Sequence, residues 1–296
     1  MSFTTNVKDE LCAVTDMNSC CYHAMTYGLL LFGGAFQAGT ISISTEHEGT
    51  ALLYAKAVGE IIGEAPPVKC SSAGKYSVRV GKADERKKIL EHYGISENTI
   101  AQRINRSNLA DDCCSVGFVR GVFLACSAMT EPQKSYQMEF VTPYLHLGDD
   151  LLNLLQDLNV VPKMTRRRTN YIVYLRNSEA IEDTLMALGA KKSALDIMQV
   201  KVEKDFRNKV NRRVNFETAN IDRAVAASME QLEAIRKLKR ENRFDDLPED
   251  LKELARLREE YPESSLRELG NLLSVSLSRS GVYHRLNKII EFANNE

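Results

Sequence analysis

Two apolar stretches with regularly spaced small residues constrain the fold of this chain more than any other feature. In residues 117–129, GFVRGVFLACSAM, two glycines and an alanine recur every fourth residue and so lie on one stripe of a helix. Residues 25–36, MTYGLLLFGGAF, form a similar stretch. Glycine costs a helix about 1 kcal/mol relative to alanine, so such a stripe indicates close approach of another backbone. We therefore predict that the two helices cross as a pair; two unrelated core helices are the alternative.

The order of predicted elements around these helices occurs twice. Gly121 follows Gly28 by 93 residues, and each is followed by an alternating strand, an amphipathic helix, a hairpin and a closing helix. This pattern predicts a duplicated α+β domain over residues 1–200, with halves at about 20–95 and 110–190. The predicted elements are strands at 40–45 and 136–141, helices at 51–62, 82–93, 147–158 and 178–188, and hairpins at 68–80 and 163–176.

The repeated unit resembles a single-chain LAGLIDADG homing endonuclease. That resemblance implies paired helices on a pseudo-two-fold axis, strands that form a saddle on DNA, and an acidic residue near the end of each helix that holds the catalytic metal ions. In this chain the two acidic positions correspond to Gly33 and Cys126. Neither residue supplies the hard oxygen ligand that Mg²⁺ requires. We therefore expect no catalytic residues and no enzymatic activity; the alternative is an active metal-dependent endonuclease.

The distribution of charge and cysteine narrows the class of protein. Residues 1–162 hold 13 basic and 18 acidic side chains, whereas residues 163–213 hold 13 basic and 6 acidic ones. The middle of the chain is therefore the expected contact for a polyanion, although a solvated surface is the alternative.

Seven cysteines are scattered without a C-x-x-C pair, so we expect reduced thiols, no metal site and no cofactor. The first residues lack an apolar signal segment, and no stretch is long enough to span a membrane.

Residues 201–246 are predicted to form a basic helical bridge and a linker. Asn220 suits the N-cap of a helix whose apolar stripe is more typical of core packing than of a coiled-coil seam. The polar segment 239–246 is typical of a flexible linker. The basic residues that we expect to contact DNA in this region and in the preceding hairpin are Arg166, Arg167, Arg168, Arg212 and Arg213.

Residues 247–296 are predicted to form an all-α helix-turn-helix domain. A capping box at Ser265–Glu268 begins a short second helix, and Ser278 caps a third helix that ends near Ala293. At 100° per residue, one face of this third helix carries the polar groups that read a major groove, with arginines on the flanks for phosphates. The predicted DNA-binding residues are Arg279, Ser280, His284, Arg285, Asn287 and Lys288.

The combination of motifs is similar to one family. The acid-less helix pair, the string RRVNFETANIDR at 212–223 and the C-terminal YPESSLRELGNLL and SRSGVYHRL resemble the WhiA family of Gram-positive bacteria. The resemblance implies a transcriptional regulator of sporulation, cell division and chromosome segregation, with a helix-turn-helix similar to that of sigma factors. The expected partners are double-stranded DNA and a sigma factor or RNA polymerase, and the expected state is a cytoplasmic, nucleoid-associated monomer. A scaffold that binds sigma factor or division proteins is a further alternative.

Overall fold

The computed structural model describes residues 2–99 and 101–295, and the chain divides into two compact units, 1–203 and 204–296. The predicted domain limits at residues 1 and 296 lie outside the described residues. Within the described part of the chain, no helix is both long enough and apolar enough to cross a membrane.

Within its described residues, the first unit contains seven complete α-helices and two antiparallel sheets. Its helices are α1 (Phe3–Cys12), α2 (Ser19–Phe32), α3 (Glu48–Ile62), α4 (Ala83–His92), α5 (Asp112–Cys126), α6 (Leu145–Asp157) and α7 (Ser178–Leu188). Its strands are β1 (Gly34–Gln37), β2 (Thr40–Thr45), β3 (Lys69–Cys70), β4 (Tyr76–Arg79), β5 (Ser127–Met129), β6 (Met138–Thr142), β7 (Lys163–Arg167) and β8 (Asn170–Leu175). The sequence analysis did not predict α1.

The two sheets confirm the predicted duplication. Their strand orders, β1-β2-β4-β3 and β5-β6-β8-β7, are the same after renumbering, and each follows one of the glycine helices. The predicted halves lacked β1 and β5, because residues 33–36 and 127–129 were assigned to the helices. That assignment was wrong. Gly34 has φ +144°, which ends the helical path after α2, and Ser127 is already extended.

The two glycine helices cross as predicted, with their backbones in direct contact. A Cβ atom on Gly28 would overlap the carbonyl oxygen of Phe118, and one on Gly121 would overlap that of Met25. About one turn closer to the N-terminus of each helix, a Cβ on Gly117 would lie 2.5 Å from the Cys21 carbonyl oxygen. Because the contacts advance together along both helices, α2 and α5 run in the same direction. One hydrophobic core joins both halves around this crossing.

The bridge differs from the prediction because α8 (Lys191–Arg240) is one continuous helix of 50 residues. Asn220 is therefore inside a helix and is not an N-cap. The expected core packing of the apolar stripe is wrong for its first half, since Ile221, Val225 and Met229 are exposed, whereas Ile235 and Leu238 are buried.

The second unit has the three predicted short helices, α9 (Glu249–Glu260), α10 (Leu266–Leu272) and α11 (Arg279–Asn294). The capping box at Ser265 and the Ser278 cap are both present. The expected linker at 239–246 is instead part of this unit. Lys239 pairs with Glu259 at 2.5 Å, and the Arg243 guanidinium donates to the carbonyl oxygens of Phe292 and Asn295.

Candidate nucleic-acid interface

The predicted arginine run lies on the edge strand of the second sheet and in the adjoining turn. Strand side chains alternate between the two faces of a sheet. Arg166 therefore shares a face with Met164, which is paired with the buried Val173, and its guanidinium lies 5.8 Å from the Tyr171 ring centroid. Arg167 points to the opposite face, and Arg168, at φ +57°, lies in the turn. The structure thus separates three residues that the sequence treated as one cluster.

The face of the second sheet that carries Arg167 is polar along the edge strand β7 but includes Val141 and the buried Ile172 on the inner strands; we call it the second open face. Register places Lys163 and Thr165 on it beside Arg167, with Glu139 and Tyr174 on the neighbouring strands. The Arg167 guanidinium lies 3.5 Å from the Glu139 carboxylate, which offsets part of its charge. The Arg167 side chain is itself exposed and the contact is long, so Arg167 remains available to an anion.

The first sheet presents a matching surface that the sequence analysis missed. Ile41, Ile43 and Val78 face the core, so the alternate residues of the same strands face outward. This first open face carries four hydroxyl groups and two cations: Thr40, Ser42, Ser44, Ser77, Lys69 and Arg79. No acidic residue occurs among these positions. The alternation of Ser with Ile in β2 was the available signal, but the sequence analysis used it only to place a strand.

The positions that hold metal-binding acids in homing endonucleases lie where the glycine helices end. Gly33 is the C-cap of α2, and Cys126 is the last residue of α5. Burial raises the pKa of the Cys126 thiol to about 12, so this side chain is neutral. Lys8 of α1 is buried with Cys126, Cys12 and Glu46 as its electrostatic neighbours, and burial lowers its pKa. A lysine side chain therefore stands near one of the two positions.

The nearby carboxylates do not replace the missing pair. Glu131 accepts a hydrogen bond from the Phe3 backbone N–H at 2.8 Å, and Glu46 and Glu48 are exposed. Within residues 2–99 and 101–295, no group of three or more converging metal-binding side chains includes a carboxylate. The Gly33 and Cys126 positions themselves supply no oxygen ligand for a metal ion.

The helix-turn-helix of the second unit depends on a close contact at Gly270. A Cβ on Gly270 would overlap the Leu277 carbonyl oxygen, and the Leu277 N–H donates to the Gly270 carbonyl oxygen at 3.0 Å. Val282, Leu286 and Ile289 anchor α11 in the core of this unit. The N-terminal half of α11 is thereby held with its opposite face in solvent.

The exposed face of α11 carries most of the residues predicted from the sequence. Arg279, Ser280, His284 and Lys288 are exposed, and Asn287 is partly exposed. Arg285 is less available than expected, because its guanidinium lies 3.4 Å from the Asp250 carboxylate of α9. The sequence analysis missed Tyr283, which is half exposed, with its ring centroid 5.7 Å from that of His284. The same helical arithmetic places Tyr283 only about 60° from Ser280.

Comparison with known proteins identifies the family. The model of the WhiA C-terminal HTH domain matches residues 210–293, and that of the WhiA LAGLIDADG-like domain matches residues 115–207. A protein of Ruminiclostridium cellulolyticum named "Probable cell division protein WhiA" is 35% identical over 304 residues, covering 99% of this chain and 97% of that protein. A protein of the same name from Oceanobacillus iheyensis is 34% identical over 309 residues, covering 99% and 97%. The chain belongs to the WhiA family.

A solved structure agrees with this WhiA assignment at the level of the fold. The crystal structure of full-length WhiA from Thermatoga maritima matches 99% of this chain and 98% of its own with a TM-score of 0.60 at 23% identity. The predicted fold class, an α+β domain of duplicated LAGLIDADG-like halves followed by a helical helix-turn-helix region, is confirmed.

The basic residues of α8 lie on an exposed helix, whereas those of the two sheets in this WhiA-family chain lie on strand faces. Arg212 and Arg213 are exposed on the helix, and the Arg213 guanidinium pairs with Glu217 at 2.9 Å. Lys201 lies 3.2 Å from Glu179 and 3.8 Å from Glu182. Arg212 is therefore the more available of the two arginines predicted to contact DNA here.

Four of the cysteines that are scattered along the sequence come together in space. Cys20, Cys21, Cys113 and Cys114 come together at the N-terminal ends of the glycine helices in this WhiA-family chain. Both pairs are adjacent in sequence and are separated by 93 residues, the same interval as Gly28 and Gly121. That equality was the signal in the sequence, and it was not used.

Proposed function

We propose that this WhiA-family protein is a transcriptional regulator that binds double-stranded DNA sequence-specifically through α11 and does not cleave it. The observation that carries the proposal is the exposed face of α11. His284, Asn287 and Lys288 supply donors and acceptors that match base edges in a major groove, and Arg279 suits the flanking phosphates. A short, tightly turned α10 supports this helix, as in proteins that place a recognition helix in DNA.

The sheets supply a second DNA contact in this proposal. The first open face carries Lys69 and Arg79, and the second carries Lys163 and Arg167. Cations and hydroxyl groups on a sheet bind phosphates without reading sequence, so this contact adds affinity more than specificity. The duplication supplies two similar faces in one chain, so a monomer suffices. Binding to chromosomal DNA would associate the protein with the nucleoid.

The relatives' name supports a role in cell division, and we extend it to the regulation of genes for division, chromosome segregation and sporulation. Sigma factor or RNA polymerase is the proposed protein partner of such a regulator. The alternative, a scaffold that binds these proteins and touches DNA weakly, predicts a shallow salt dependence of DNA affinity. A regulator that binds through several phosphate contacts predicts a steep one.

We expect no nuclease activity on any duplex with Mg²⁺ or Mn²⁺. The Gly33 and Cys126 positions provide no oxygen ligand, and the Lys8 amine, which is not a ligand for Mg²⁺ here, lies near the second of them, so neither the attacking water nor the leaving oxygen is stabilised. The measurement is cleavage of supercoiled plasmid and genomic DNA, with an active homing endonuclease on its own target as the positive control. Metal-dependent cleavage that disappears in Glu46→Gln or Glu131→Gln would contradict the account.

Adjacent arginines on β7 allow a matched test of the second open face. We expect Arg167→Ala to weaken binding to specific and scrambled duplexes alike, and to reduce the slope of log affinity against log salt by about 0.9 for one lost phosphate contact. Arg166→Ala, on the opposite face of the same strand, should leave the slope unchanged. Equal effects of the two substitutions in fluorescence-anisotropy titrations would contradict the assigned face.

Capture of genomic fragments by the purified full-length protein tests the proposed function. Double-stranded fragments of the host genome are incubated with the protein at near-physiological salt, and the bound fraction is sequenced. We expect enrichment of a small set of fragments that share a short motif. Even coverage of the genome would leave only non-specific binding and would contradict a sequence-reading regulator.

A further inference from the structure

Four cysteines form a symmetric group at one end of the paired glycine helices. Cys20 and Cys21 are the second and third residues of α2, and Cys113 and Cys114 are the second and third residues of α5. The duplication therefore places an adjacent cysteine pair at the same position in both halves. Because the two helices run in the same direction, their first turns lie side by side and the four thiols converge.

The separation of the sulfur atoms suits a single metal ion. All four Sγ atoms lie within 4.8 Å of one another, and those of Cys20 and Cys21 are 4.0 Å apart. In a tetrahedral site with Zn–S bonds of about 2.3 Å, neighbouring sulfurs are about 3.8 Å apart. Each pair needs to close by about 1 Å at most, within the reach of a cysteine rotamer adjustment.

We propose that Cys20, Cys21, Cys113 and Cys114 bind one Zn²⁺ ion per chain and clamp the two halves of the first unit together. Thiolate sulfur favours Zn²⁺ over hard cations, and four protein ligands leave no open position, which is typical of a structural site. An iron–sulfur cluster fits less well, since its bridging sulfides hold the cysteines of different iron atoms farther apart than in a mononuclear site.

The surrounding helices supply groups that stabilise thiolates. Among the described residues, neither N-cap, Asn18 of α2 or Asp111 of α5, makes a side-chain hydrogen bond to the first turn. Backbone N–H groups of both first turns are therefore free of side-chain caps, and the positive ends of two helix dipoles point toward the sulfurs. The buried Arg120, one and a half turns after Cys114 on α5, adds a positive charge that acts on Cys21.

The cysteine group is separate from the site that the endonuclease resemblance implies. Cys21 and Gly33 are at opposite ends of α2, which at 1.5 Å per residue puts them about 18 Å apart. Cys114 is buried and Cys20 and Cys21 are half-buried, whereas Cys113 is exposed and gives an ion access from solvent. Zinc here would brace the helix crossing from the end away from the sheets, without a role in DNA cleavage.

Metal analysis of the full-length protein tests this site independently of DNA binding. The protein is expressed with zinc in the medium and purified under reducing, chelator-free conditions, and zinc per chain is measured by plasma mass spectrometry and native mass spectrometry. We expect one zinc per folded chain. Replacement by Co²⁺ should give sulfur-to-cobalt charge-transfer bands and the visible bands of a tetrahedral site.

Cysteine substitutions assign the ligands. Cys113→Ser, at the exposed ligand, should lower zinc affinity at least 10-fold in competition with a chromophoric chelator, and Cys20→Ser provides a second variant should the first fail to fold. Cys70→Ser, an exposed cysteine outside the group, should retain one zinc. Chelation of zinc should lower the thermal midpoint of wild type and of Cys70→Ser. A folded, fully reduced wild-type chain that binds no added Zn²⁺, or a disulfide between the two cysteine pairs as the stable form, would overturn the proposal.

Discussion

Gly121→Ala is expected to destabilise the first unit by about 3 kcal/mol or more, and Gly121→Val to prevent its folding. A Cβ at this position would overlap the Met25 carbonyl oxygen and lie 2.7 Å from the Leu29 nitrogen. Both neighbours are main-chain atoms inside a helix, so no side chain can turn away to make room. The overlap can be removed only if the two helices separate, which opens the core that both halves share. Overpacking usually costs about 1–3 kcal/mol even where side chains can adjust, so a larger cost is expected here.

The measurement is the free energy of unfolding in urea, followed by circular dichroism. Gly39→Ala is the matched control, since a Cβ on Gly39 would meet no atom within 4 Å; it should change the free energy by less than about 0.5 kcal/mol. If Gly121→Ala is as stable as Gly39→Ala, the two helices do not cross at this glycine, and the duplicated architecture described here is wrong.

His284→Ala and Lys288→Ala are expected to reduce discrimination between the preferred duplex and a scrambled one by about 5- to 150-fold each. This range corresponds to the roughly 1–3 kcal/mol that a good contact to a base edge contributes to discrimination. Both side chains are exposed on α11, away from the core of the second unit, so their removal should leave the unfolding transition unchanged. The loss should appear in affinity for the preferred duplex.

Asn294→Ala provides the control for these substitutions. Asn294 is exposed in the last turn of α11, beyond residues 279–288, which we assign to the groove. Its replacement should leave the affinity ratio unchanged. If His284→Ala and Lys288→Ala retain the wild-type ratio while Arg167→Ala lowers it, the sheets read the sequence and α11 does not.

The sequence predicted those parts of the fold that depend on local patterns. The glycine stripes gave the helix crossing, the 93-residue interval gave the duplication, and Ser265, Glu268 and Ser278 gave the starts of the last two helices. Each of these patterns either involves residues within one or two helical turns of each other or repeats along the chain. The residues of α11 that are exposed were also predictable in large part, because a helix that is buried on one side fixes which residues remain in solvent.

Features that depend on packing between distant segments could not be predicted in the same way. The alternating run at 40–45 identified β2. The start of β1 depends on the positive φ of Gly34, and the sequence does not show it because residues 25–36 remain apolar past the end of the helix. The opposite directions of Arg166 and Arg167 follow from strand register. The position of Lys8 beside Cys126 depends on α1. Phe3, Val7 and Leu11 recur every fourth residue in this helix, but such a stripe does not show which element the helix packs against.

The central claim is that this protein reads DNA sequence without cutting it, and an affinity ratio tests it most directly. A preferred duplex, selected from a random pool with the full-length protein and Mg²⁺ present, is titrated beside a scrambled duplex of the same composition at several salt concentrations. The account predicts that both duplexes stay intact and that the preferred one binds at least about 1,000-fold more tightly at physiological salt. Both affinities should fall steeply as salt rises. Equal affinity for the two duplexes at every salt concentration would contradict it.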